Sequence, residues 1–178
     1  MSSDTAPRLI SDLIQIDVHS HIDTEPAGSY IVRMHTHMLL NDDCFAVRQA
    51  ARQISQLYDR HLAEAGITPS QFSILTAVSL EKGQTMQKLA RTMVMERTTV
   101  VRALQPLLKS GYIVRVYHEG GRRRLTLEIT DSGVAKQTEA AVFWKTAQAE
   151  FERRFGTAEA WKLRKELFRV TSDLCDDG

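Results

Sequence analysis

The chain has 178 residues, of which 43% are hydrophobic and 25% charged, with a net charge of +1, the proportions of an ordinary globular protein. No run of about 18 apolar residues is present, which argues against a membrane-spanning segment, and MSSDTAPRL lacks the basic start and apolar core of a secretory signal. Two widely separated cysteines, Cys44 and Cys175, fit no metal-ligand spacing and suit a reducing, cytoplasmic compartment.

Residues 1–40 read as an N-terminal arm. Leu9, Ile10, Leu13 and Ile14 suggest a short amphipathic helix, and TEPAGS a turn. Two histidine pairs stand out, His19 and His21 in IDVHSHI and His35 and His37 in MHTHM. In an extended segment the members of each pair point the same way, and four imidazoles could complete a zinc site. A metal-dependent barrel hydrolase, however, needs about 250 residues and further ligands from later strands, where the sequence supplies only His61 and His118. No resident cofactor is expected. A metal-binding or hydrolytic protein is the least favoured reading, with the histidines as polar surface.

Residues 42–64 repeat apolar side chains near helical spacing at Phe45, Val47, Ala50, Ala51, Ile54, Leu57, Tyr58 and Leu62, and Gly66 supplies a stop. A second helix starts at Thr68 or Ser70 as cap with Pro69 beside it, and turns Phe72, Leu75 and Val78 inward. QTMQKLARTM predicts a short helix with Leu89 and Ala90 inward. The next helix, in VMERTTVVRALQPLLKSGYI, buries Val100, Leu104, Leu107 and Leu108 and ends at Gly111. Pro106 inside it predicts a bend.

After Gly111 the period changes to two. YIVRVYH sets Ile113, Arg115 and Tyr117 against Val114 and Val116, and LTLEIT sets Leu125, Leu127 and Ile129 against Thr126 and Glu128. EGGRRR between them makes a hairpin with an arginine-loaded tip. Residues 131–155 and 157–175 read as two more helices. Charge is concentrated in this middle region: Lys82 to Arg124 holds ten basic and two acidic residues, a net +8 on a nearly neutral chain. Such a patch is the footprint expected of a phosphate-binding surface.

The order helix, helix, short helix, helix, hairpin and two helices is that of a winged helix-turn-helix, mostly α with a small β wing. With SQFSILTAV, LARTMVMERTTVVRALQPLLKSGYIVR and RRRLTLEITDSG in this order, the chain resembles the MarR family of transcription regulators over about residues 41–175. The helix-turn-helix falls at about 85–109 and the wing at about 113–130. The resemblance implies a non-enzymatic protein that binds a pseudo-palindromic operator in double-stranded DNA as a homodimer and acts as a repressor. Nucleophile-elbow and phosphate-loop motifs are absent from the sequence.

Near the start of the recognition helix Arg97, Thr98, Thr99 and Arg102 are candidates for the major groove. Arginine can grip guanine edges, and threonine reaches phosphates or thymine methyls. Thr98 and Arg102, at i and i+4, align better than Arg97 and Arg102. At the wing tip a guanidinium gains from the potential of a narrow minor groove. The resemblance assigns that role to Arg123, seven residues before Thr130, with Arg122 and Arg124 beside it. The family's aspartate two places earlier is Gly121 here, so the loop orients its arginine less.

The aromatic C-terminal helices, with Phe143, Trp144, Phe151, Phe155, Trp161, Leu163, Leu167 and Phe168, carry more apolar surface than a monomer hides, and the resemblance makes them a dimer interface. It also implies a small aromatic acid or phenol as effector. Arg48 and Arg52 could meet its carboxylate and Phe45, Tyr58 and Phe72 its ring, or all five could be ordinary core and salt-bridge residues. A second reading rests on CFAVRQAARQISQLY, which is similar to the hydroperoxide-sensing branch of the family at Cys44, Phe45 and Tyr58. That branch has a tyrosine where this chain has Arg48. A helix start and a nearby arginine favour a reactive thiolate.

Overall fold

The computed structural model describes residues 38–39, 41–118 and 124–173, and the chain divides into two compact units, Met1–Arg52 and Gln53–Gly178. In the first unit, helix α1 (Asp43–Leu62) starts where Asp42 Oδ1 accepts the Phe45 N–H at 3.0 Å, and α1 runs on into the second. The predicted arm helix, its turn, His19, His21, His35 and His37 lie outside the described residues.

The second unit follows the predicted order. After α1 a 3-10 turn (Ala63–Ala65) ends at Gly66, whose φ of 67° needs the left-handed region that glycine enters without steric cost. Helix α2 (Pro69–Leu80) is fixed by a reciprocal capping box: Thr68 Oγ1 accepts from the Gln71 N–H, and Gln71 Oε1 accepts from the Thr68 N–H. Pro69 costs nothing there because its missing N–H would have had no partner. Helix α3 (Met86–Met93) is capped by Thr85, and α4 (Arg97–Lys109) follows. Pro106 sits inside α4, which remains one continuous helix. The proline is exposed, so its ring faces solvent.

Strands β1 (Ile113–His118) and β2 (Arg124–Ile129) pair antiparallel, Ile113 opposite Ile129 and His118 opposite Arg124. Helices α5 (Asp131–Phe155) and α6 (Thr157–Asp173) complete the unit. The core lies where α2, α3 and α4 meet the hairpin, with Leu62, Ile74, Leu75, Leu89, Val100 and Leu104 fully buried.

Two expectations are corrected. Strand alternation sets Thr126 on the outward face of β2, yet it is 2% exposed. The Gln84 carbonyl accepts the Leu127 N–H at 2.8 Å, an isolated bridge that lays residues 83–84 along β2. His118 Nε2 also meets Thr126 Oγ1 at 2.8 Å, so Thr126 is covered on one side and satisfied on the other. Second, of the apolar positions predicted to line α1, only Leu57 and Leu62 are buried, and Val47 is 51% exposed. The pattern marks a face left uncovered among the described residues.

Candidate nucleic-acid interface

Helix α4 is two-sided for a reason legible in its sequence. Val100, Leu104 and Leu107, at i, i+4 and i+7, are buried, and this anchoring turns the other face outward. On that face Arg97, Thr98, Thr99 and Arg102 are all exposed. Thr98 and Arg102 stand one turn apart as predicted, and Gln105 and Lys109 prolong their row to the end of the helix. Arg97 and Arg102 have no carboxylate partner among the described residues. A cation without an internal counter-ion is available to a phosphate or a base edge.

The turn that presents α4 is tight. Val94 closes α3 in the left-handed region, φ 49° and ψ 47°, while the Met95 N–H bonds back to the Ala90 carbonyl at 3.0 Å. This is the helix-ending arrangement that usually takes glycine. Valine there, 62% exposed, is a strained choice that sequence reading misses, although a β-branched residue at a helix-turn-helix corner is the signal that could find it.

Of the wing arginines, Arg122 and Arg123 lie outside the described residues, and Arg124 begins β2 opposite His118. The strands below the tip are held to the body by the Gln84–Leu127 bridge, so the hairpin leaves a packed base.

The candidate effector residues divide between the two units. In the first, Arg48 and Arg52 are exposed and Phe45 is half-buried on α1; Cys44 is exposed in the first turn of the same helix. In the second, Tyr58 and Phe72 come together around Trp144, with ring centroids 6.5 Å from Tyr58 and 6.1 Å from a stacked Phe72. The sequence pattern assigns Trp144 to a dimer surface only. Its spacing from the buried Ala140 and Ala147 marks the inward stripe of α5, which points to the neighbouring helices as well.

Burial raises the Tyr58 hydroxyl above its ordinary range, the Arg164 charge opposing this in part. The neutral hydroxyl donates to Gln148 Oε1. Gln148 Nε2 in turn donates to Glu152 Oε1 at 2.7 Å, which also accepts from Arg164 at 3.3 Å. A chain of polar contacts thus runs from α1 through α5 to α6. Among the described residues no group of His, Cys, Asp and Glu side chains is placed to hold a metal, and no helix is long and apolar enough to cross a membrane.

A helix-turn-helix followed by a two-stranded wing, with uncompensated arginine on the exposed helix face, defines a winged-helix DNA-binding protein. Residues 65–124 match the family model described as MarR family. The transcriptional regulator MosR of M. tuberculosis is 31% identical, with a TM-score of 0.65 over 75% of this chain and 96% of MosR; it is also solved with DNA. The chain belongs to the MarR family of DNA-binding transcription regulators. The regulator SarZ of Staphylococcus haemolyticus is 25% identical over 96 residues, 54% of this chain and 65% of SarZ. The chain thus spans somewhat less than two thirds of the curated relatives it matches. The repressor CouR of Rhodococcus jostii RHA1, bound to a 23-mer duplex, shares the fold at 24% identity, with a TM-score of 0.69 over 74% of this chain and 94% of CouR.

Proposed function

We propose that this regulator is a repressor that binds a pseudo-palindromic operator as a homodimer and is released by a small aromatic acid or phenol. The observation that carries the reading is the exposed row on α4, in which Thr98 and Arg102 align and the arginines Arg97 and Arg102 have no carboxylate partner among the described residues. Arg97, Thr98, Thr99 and Arg102 enter the major groove, and Arg123 with its neighbours Arg122 and Arg124 enters the minor groove. The solved DNA complex of MosR supports this use of the fold.

Two half-sites require two recognition helices held at fixed spacing. The exposed Trp161, Leu167, Phe168 and Val170 of α6 are the surface that a second copy covers. The ring of the effector binds beside the Tyr58–Phe72–Trp144 cluster and shifts the population toward a spacing that no longer fits the operator. A second reading is favoured by the exposure of Cys44 in the first turn of α1, where a hydroperoxide can reach it: oxidation of the thiol then replaces ligand binding.

The test is a gel-shift series with the duplex upstream of the protein's own gene against a mixed-sequence duplex at rising salt. Preference for the upstream duplex is expected, with release by an aromatic acid in the absence of peroxide. Equal affinity for both duplexes defeats operator binding. Release by an organic hydroperoxide that vanishes in Cys44→Ser selects the thiol mechanism.

A further inference from the structure

Beyond the end of the proposed base-reading row lies an open groove of about 890 Å³ between α4 and β1, bordered by Gln105, Pro106, Leu108, Lys109, Val114 and Arg115. Its rim carries Lys109 and Arg115, both exposed and neither with a carboxylate partner among the described residues. Its floor is apolar, and Val114 there is 41% exposed. We infer that this groove seats one sugar-phosphate strand of the duplex, Lys109 and Arg115 each neutralising a phosphate and the apolar floor meeting deoxyribose. The inference rests on the proposed DNA-binding reading and extends it to two residues outside the recognition set.

Geometry favours this occupant. Thr98, Arg102, Gln105 and Lys109 follow one another at steps of four, three and four, so they occupy a single stripe of α4. From Thr98 to Lys109 that stripe is about 16 Å long at roughly 1.5 Å per residue, whereas the major groove is about 12 Å wide. A helix whose first turns reach base edges therefore carries its last turn to the groove wall, where the phosphates stand. Arg115 flanks the same cleft from β1, so a strand leaving the groove wall passes between two cations. The occupant is polyanionic along its edge and hydrocarbon-rich at its sugars, which matches the rim and the floor respectively.

The experiment uses the full chain with Lys109→Gln and Arg115→Gln combined, and measures the salt dependence of affinity for the upstream duplex and for a mixed-sequence duplex. Each phosphate contact contributes about 0.9 to the slope of log affinity against log salt, so the slope is expected to fall by roughly 1.8 per protomer. The loss should be the same factor on both duplexes, and the charge-preserving pair Lys109→Arg with Arg115→Lys should keep the wild-type slope. A thermal melt equal to wild type excludes misfolding of the glutamine pair. Should that pair melt early, Lys109→Gln and Arg115→Gln are measured singly, each expected to lower the slope by about 0.9 per protomer. A slope unaltered by removal of these charges overturns the inference. A loss confined to the upstream duplex also overturns it, because base reading and not phosphate neutralisation would then be at work. If wild type binds neither duplex, the DNA-binding reading itself fails; if wild type binds and the glutamine slope is unchanged, only the groove assignment does.

Discussion

His61 Nε2 lies 2.7 Å from Glu150 Oε2, fastening the last turn of α1 to α5. The imidazole hydrogen bond holds the Glu150 carboxyl below its ordinary 4.5, burial opposes this, and the Arg154 and Arg60 charges assist. A carboxyl whose folded pKa is lowered stabilises the fold above its unfolded pKa, and that contribution is lost as pH falls through the folded value. Wild type should therefore lose melting temperature below the ordinary 4.5 more steeply than Glu150→Gln, which cannot titrate. Superimposable melting-temperature profiles of the two proteins from about pH 6 to pH 3.5 would contradict the pairing.

Much of this architecture is legible in the sequence because local chemistry and burial agree. Thr68 and Pro69 announce a helix start, and the capping box with Gln71 forms there; Val100, Leu104 and Leu107 announce the buried side of α4, and thereby its exposed side. Thr126 escapes the pattern because strand alternation presumes one covered face, while its cover comes from residues 83–84, which no periodicity marks. The pairing of His61 with Glu150 depends on α1 meeting α5 across 89 positions, and a single sequence gives no register for such a contact. The apolar positions along the start of α1 are legible as a face, but not what covers it.

Val94 stores strain at the corner of the helix-turn-helix. A left-handed conformation costs an L-residue about 1–2 kcal/mol, and glycine gives back roughly 0.5–1 kcal/mol through its freer unfolded chain. Val94 is 62% exposed, so its removal sacrifices little packing. Val94→Gly should raise stability by about 0.5–1 kcal/mol, or a melting temperature higher by about 2 °C. A lower melting temperature would mean that the valine side chain contributes packing that outweighs its strain.

Gly133 is the opposite case. It lies in the first turn of α5, where Thr130 Oγ1 accepts its N–H at 3.1 Å and donates to the Gly111 carbonyl at 2.7 Å. A Cβ at this position would stand 2.1 Å from the Tyr112 carbonyl oxygen and 2.7 Å from Ile129 Cγ1. In most helices alanine is better than glycine by about 0.5–1 kcal/mol. Here the backbone carbonyl cannot yield without moving the start of the wing, so Gly133→Ala should destabilise by about 2–3 kcal/mol. Denaturant unfolding reads this directly, and a stabilised variant would show that α5 does not approach the Tyr112 backbone this closely.

Phe168 on α6 is 67% exposed and Trp161 59%, while Ala160 is the buried residue of that helix. Burying one phenylalanine side chain is worth about 1.5–3 kcal/mol, and a symmetric dimer buries two, so losing both weakens association by roughly 10²- to 10⁴-fold. A carboxylate in the same place adds a desolvation cost. Phe168→Glu should therefore sediment as a single chain at micromolar concentration where wild type sediments as two, while its circular dichroism is retained because the side chain supports little within its own protomer. The same variant should lose preference for the upstream duplex, since one recognition helix reads one half-site. A variant that still sediments as two chains would place the dimer contact elsewhere, and a single-chain variant with undiminished preference would separate operator reading from dimerisation.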